Sequence, residues 1–130
     1  MKTLSLLATL ILFATGGAYA SDGHIHDHSK DHAPAHGGIV TEIHHSDFEL
    51  VAKPEGIQIY ARDQGRPVDV SKGSAKLTLL SGKDKQEIQL KPMANRFEAT
   101  GAFKVTAGTK AVALVSLPGK PAVTVRFVLK

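Results

Sequence analysis

Cysteine is absent from the 130-residue chain, which excludes disulfides, thiolate metal sites and a lipoprotein anchor. Tryptophan is also absent, and of the two methionines only Met93 lies beyond the N-terminal apolar run, so a methionine-rich cuprous site is not encoded. After that run no apolar stretch is long enough to cross a membrane as a helix. Lysines and arginines are scattered singly, with no basic stripe interleaved with aromatics, which argues against nucleic-acid binding despite a net charge of +4. Asp63-Gln-Gly-Arg-Pro-Val-Asp69 lacks the oxygen density of a calcium loop. Ser71, Ser74 and Ser81 have no nucleophile-elbow context, so hydrolysis has no positive support. Histidine is missing from residue 46 onward; all seven fall between residues 24 and 45.

The chain opens with the features of an export signal: Lys2, an apolar run over residues 4–14, and Ala18-Tyr19-Ala20 as a small-x-small cleavage site. Cleavage after Ala20 would deliver a mature chain from Ser21 to the periplasm, with no membrane insertion thereafter. Residues 21–36 are polar or small with one larger aliphatic, Ile25, and bury too little apolar surface to offset their ordering entropy. They are expected to be a flexible His/Asp-rich segment, bounded by Pro34 and Gly37-Gly38.

From residue 37 to 130 the apolar pattern has period two. Strands are expected over residues 38–44, 47–52, 57–60, 76–80, 87–90, 111–117 and 123–129, with weaker segments at 67–70, 96–99 and 103–105. Phe48 and Leu50 share one face, and Phe48, Tyr60, Phe97, Phe103 and Phe127 are the expected aromatic core. Residues 111–117 are nearly all apolar, as for a strand covered on both sides. Turn signals recur every eight to twelve residues and no window holds a 3.6-residue period. The fold class is therefore all-β, a small antiparallel β-sandwich, Ig-like or barrel-like.

The histidine cluster reads His24, His26, His28, His32, His36, His44 and His45, with Asp22, Asp27, Asp31 and Glu42 among them. Neutral imidazole is a good donor to borderline divalent metals near pH 7, and carboxylates complete the sphere or orient the rings. His24, His26 and His28 alternate, so an extended chain points them to one side. His28 and His32, or His32 and His36, are four apart, as one helical turn would pair them. His44 and His45 point to opposite faces if extended, and eight extended residues would hold His36 more than about 20 Å from His44. The expected metal ligands are all seven histidines with Asp27 and Asp31, and the donor set suits Zn, Cu(II), Ni or Co without choosing among them. With cleavage after Ala20, His24 falls at mature position four, so an amino-terminal copper/nickel motif is absent unless Ser21 is also trimmed.

The run His36-Gly37-Gly38-Ile39-Val40, then Phe48-Glu49-Leu50-Val51, Ile57-Gln58-Ile59-Tyr60, Asp63-Gln-Gly-Arg-Pro-Val68, Lys76-Leu-Thr-Leu-Leu80 and Val125-Arg-Phe127, resembles a small periplasmic domain. Such domains accompany the adaptor subunits of heavy-metal resistance-nodulation-division efflux pumps. The resemblance covers roughly residues 36 to 129 and implies a β-sandwich with a metal-capturing His-rich segment ahead of it. It does not extend to the adaptor's hairpin and barrel regions, so it implies capture or handover of metal rather than transport.

These readings lead to a non-enzymatic periplasmic protein that binds divalent metal ions in metal efflux or resistance, with an efflux adaptor as a candidate partner. The alternative is a periplasmic protein-interaction module whose histidine segment is incidental. A metalloenzyme would need three ordered ligands and a base, and only His36, His44 and His45 are expected on or beside ordered structure.

Overall fold

A computed structural model of the chain describes residues 32–130. The segment expected to be an export signal, the expected cleavage site, and His24, His26, His28, Asp27 and Asp31 lie outside the described residues. Among those described there is no helix, and none is long and apolar enough to cross a membrane.

The fold is an all-antiparallel sheet, nearly closed into a barrel. The strands are β1 (Ile39–Ile43), β2 (Ser46–Lys53), β3 (Gly56–Asp63), β4 (Arg66–Pro67), β5 (Ser74–Ser81), β6 (Asp84–Pro92), β7 (Phe97–Thr100), β8 (Lys110–Ser116) and β9 (Val123–Val128). They pair in the order β1-β2-β3-β7-β6-β5-β8-β9, with the two-residue β4 on β3. β6 is the corner: it pairs with β5 along most of its length and with β7 only through Lys91 and Pro92. The terminal strands β1 and β9 approach each other, and the Thr41 hydroxyl donates to the Arg126 carbonyl at 2.8 Å.

Alternation puts every second side chain inside. Phe48, Leu50, Ile57, Ile59 and Phe97 on one half meet Leu77, Leu79, Leu90, Val115, Val125 and Phe127 on the other. Each such side chain contributes about 1.5–3 kcal/mol when fully buried. The β5–β6 hairpin forms as the sequence predicts, around Gly82 and Lys83.

Three expectations are corrected. β8 is buried on one face only, since Leu114 remains 51% exposed while Ala111, Ala113 and Val115 are covered; with no helix to cover it, the second face of the sheet stays open. Residues 103–105 form no strand; the Phe103 N–H instead donates to the Pro54 carbonyl at 2.8 Å. Of residues 67–70 only Pro67 joins a ladder, and Val70 turns inward to be fully buried.

Candidate metal centre

β2 is buried on both faces. Phe48 and Leu50 point into the core, while Asp47 and Glu49 point outward yet are only 2% and 1% exposed. Two carboxylates on the outside of a strand are ordinarily solvated, and burying them without partners is costly. Their cover is the segment 32–38, which lies across the outer face of β2 as a strap.

Glu49 organises the strap. Its Oε1 accepts from the Ala35 N–H at 3.0 Å and the His36 ring Nδ1 at 3.0 Å, and its Oε2 accepts from the His36 N–H at 2.8 Å and the Gly38 N–H at 2.9 Å. Burial pushes the Glu49 pKa up, but donors from Gly38, His36 and Ala35 together outweigh it and hold the carboxyl below its ordinary value of 4.5. The His36 ring stacks on Tyr60 with centroids 3.6 Å apart and an interplanar angle of 7°. Tyr60 faces Glu49 across the β2–β3 ladder. It is therefore an outer-face platform, half-buried, and not the core aromatic expected from the sequence. Arg62, opposite Asp47, donates from Nη2 to the Ala33 carbonyl at 2.8 Å. Gly38 is required where the strap enters β1, because a Cβ there would collide with the Leu50 carbonyl and press on Glu49 Cγ.

His32 stands over the second carboxylate. Its Nδ1 lies 2.8 and 2.9 Å from the two Asp47 oxygens, and its Nε2 is 3.3 Å from Glu42 Oε2. Glu42 and Asp47 are direct cross-strand partners on β1 and β2. Like charges so placed repel, and a cationic imidazole, or a cation shared with the ring, would relieve that repulsion. If Nδ1 carries the proton donated to Asp47, the Nε2 lone pair faces the Glu42 carboxylate, and a proton or a metal cation between them makes the contact attractive.

His32 Nε2 and Glu42 Oε2 are the two atoms that would hold a divalent ion here, an imidazole nitrogen and a carboxylate oxygen. Asp47 would then orient the ring through its second nitrogen, the usual partner of a ligating histidine, or itself ligate. His32, Glu42 and Asp47 are the group among the described residues whose ligand atoms converge within 4.8 Å.

The remaining expected ligands are placed differently. Residues 32–36, read from the sequence as part of the flexible segment, are docked on β2, with no helical turn pairing His32 and His36. Instead the two rings stand over Asp47 and Glu49, two residues apart on one strand face. His44 and His45 do not alternate across a strand. They form the two-residue β1–β2 turn, with φ of 49° and 68°, the primed geometry that matches strand twist. Both are exposed, and His44 lines a cavity of ≈ 420 Å³ at the barrel mouth with Ile43, Phe48 and Leu117.

Asp47 and Glu49 were not among the expected site residues. The signal for them was present in Asp47-Phe-Glu-Leu50, whose alternation puts both acids on the face opposite the core.

The fold and this group define a class: a small all-β domain whose outer sheet face holds an imidazole between two carboxylates, at the end of a histidine-rich leader. No family model, characterised protein or solved structure matches the chain.

Proposed function

We propose that this is an exported, periplasmic protein that captures divalent transition-metal ions and hands them on in metal efflux or resistance, without enzymatic activity. The observation that carries the reading is the His32 ring held between Glu42 and Asp47, at the root of a segment containing His24, His26 and His28. A binding pair on the sheet supplies two donors, and the leader supplies more from close by. His28 is four residues before His32, so chain geometry keeps their Cα atoms within about 14 Å. That tether raises the effective concentration of leader imidazoles at the pair. Cargo would be Zn, Cu(II), Ni or Co, since the donors are imidazole and carboxylate. A site completed by solvent or by exchangeable leader ligands suits transfer to a partner, such as an efflux adaptor, with a better-ordered site.

Titration calorimetry of the mature chain with each metal tests this. Binding in the micromolar range is expected for more than one metal, and His32→Gln or Glu42→Gln should weaken it about 10–100-fold. Affinity should fall as pH drops through about 6.5, where imidazole protonates. Deleting residues 22–31 separates the leader from the pair, because a longer deletion would strip the strap from Glu49. Unchanged metal uptake when all seven histidines are replaced by glutamine overturns the proposal.

A second reading rests on the same contacts. His32 on Asp47 and His36 on Glu49 also peg the strap to the sheet, as they would in an interaction module whose histidines are incidental. Metal-insensitive partner binding that survives removal of the leader would favour it.

A further inference from the structure

The three adjacent strands β5, β8 and β9 contain no aspartate or glutamate. Strand carboxylates occur instead on β1, β2, β3, β6 and β7. The outer face of β5, β8 and β9 mixes aliphatic and cationic side chains with the hydroxyls of Thr78 and Thr124. In register across the three strands run Leu80, Lys110 and Val128, then Thr78, Val112 and Arg126. Leu114 and Val128 are 51% and 57% exposed. Among the described residues no carboxylate pairs with Lys110 or Arg126; Glu87 on β6 is held by Lys76 and Lys85, and Glu42 on β1 follows Thr41, whose hydroxyl bonds the Arg126 carbonyl.

We infer that this face is a transient docking surface for a protein partner presenting an acidic, aliphatic surface. Charge complementarity selects the partner: exposed aliphatics give contact area, and unpaired cations interleaved with them favour carboxylates opposite. A second copy is disfavoured, because pairing this face with itself sets cations against cations. Size points the same way. Three strands by seven residues cover about 300 Å² at ordinary sheet spacings, well below the roughly 800 Å² per partner of a stable complex. A membrane surface fits poorly, since no aromatic anchor stands on this face. The inference does not depend on metal binding, and its test contains no metal.

The test is an NMR titration of the isotope-labelled mature chain with a short peptide alternating glutamate and leucine, beside its lysine-for-glutamate counterpart. Amide shifts confined to β5, β8 and β9, seen with the acidic peptide and weakened at least about threefold from low to physiological salt, are the expected result. The double variant Lys110→Glu, Arg126→Glu should lose about tenfold in affinity, with its peptide-free spectrum reporting an intact fold.

Equal binding of the basic peptide overturns the proposal, as do shifts centred elsewhere or no shift at low salt. Perturbation of this face by phosphatidylglycerol vesicles but not by the peptide would assign it to a membrane instead. Concentration-dependent shifts on the same face without peptide would assign it to self-association.

Discussion

Replacing Glu49 with glutamine keeps the side chain's size and removes its charge, and should undo the strap. Both carboxylate oxygens accept two bonds each, from Ala35 N–H and the His36 ring at Oε1 and from His36 and Gly38 N–H at Oε2. With its NH2 at Oε2 the amide faces two backbone N–H donors and both bonds are lost; with its NH2 at Oε1 the Ala35 bond is lost, while the His36 ring can change tautomer and accept. Hydrogen bonds to a charged group are worth about 1.5–3 kcal/mol each, a gross loss of about 2–6 kcal/mol between the two orientations. The strap can peel away and let water solvate the freed N–H groups, which caps the loss at its own docking free energy. The expected result is therefore about 2–4 kcal/mol in urea denaturation at neutral pH. Exchange protection at the Ala35, His36 and Gly38 amides should collapse, while the β5–β8 ladder keeps its protection.

The pH dependence gives the same experiment a second readout. Because Glu49 is held below its ordinary value of 4.5 in the folded chain, its ionised form stabilises the fold above that value. The contribution is lost as pH falls through the lowered folded value, where the native carboxylate takes up a proton. Glutamine has no such transition. The gap between wild type and Glu49→Gln should be widest above about pH 5 and should narrow on acidification. Equal denaturation midpoints at pH 7, or a gap that stays constant down to acid pH, would refute the assignment of Glu49 as the organising charge.

Two further substitutions probe the elements around the site. Gly38→Ala should destabilise by about 1–3 kcal/mol, as overpacking does, because its methyl would meet the Leu50 carbonyl; thermal unfolding reads this directly. Changing His44-His45 to Asn-Gly should raise stability by about 0.5–1 kcal/mol, since both positions have positive φ and Asn-Gly suits such a turn. It should leave metal affinity unchanged, because neither histidine belongs to the convergent group with His32. A tenfold loss of affinity in that variant would bring the turn into the metal centre.

What the sequence revealed follows from which forces are local. Period-two alternation in Phe48/Leu50, Ile57/Ile59 and Val125/Phe127 reports burial one residue at a time, so the all-β class and most strands were legible. Coverage of the second face was not, because it depends on what crosses the sheet from elsewhere in the chain. The apolar β8 was expected to be covered and lies open at Leu114, whereas β2, which carries two acids, is covered. The same difference explains the site. Imidazole density pointed to residues 24–45, but the turn at His44 and His45 is set by strand pairing, and the roles of His32 and His36 are set by Asp47 and Glu49, fifteen and thirteen residues further on.

An acid alternating with core residues ordinarily reads as solvent-facing. Here a neighbouring segment rich in histidine and small residues supplies the N–H donors and the imidazoles that such acids need if they are to be buried. Gly37-Gly38, read as a boundary, is instead the place where the strap must pass close to β2. A strap held by charge at Glu49 and by the His32 bridge at Asp47 is built from groups that a proton or a metal ion can disturb. On the proposed function, docking of residues 32–38 and metal binding at the His32–Glu42 pair should therefore be coupled: metal added to a chain of residues 21–130 should change exchange at the Ala35 and His36 amides, and in His32→Gln it should not.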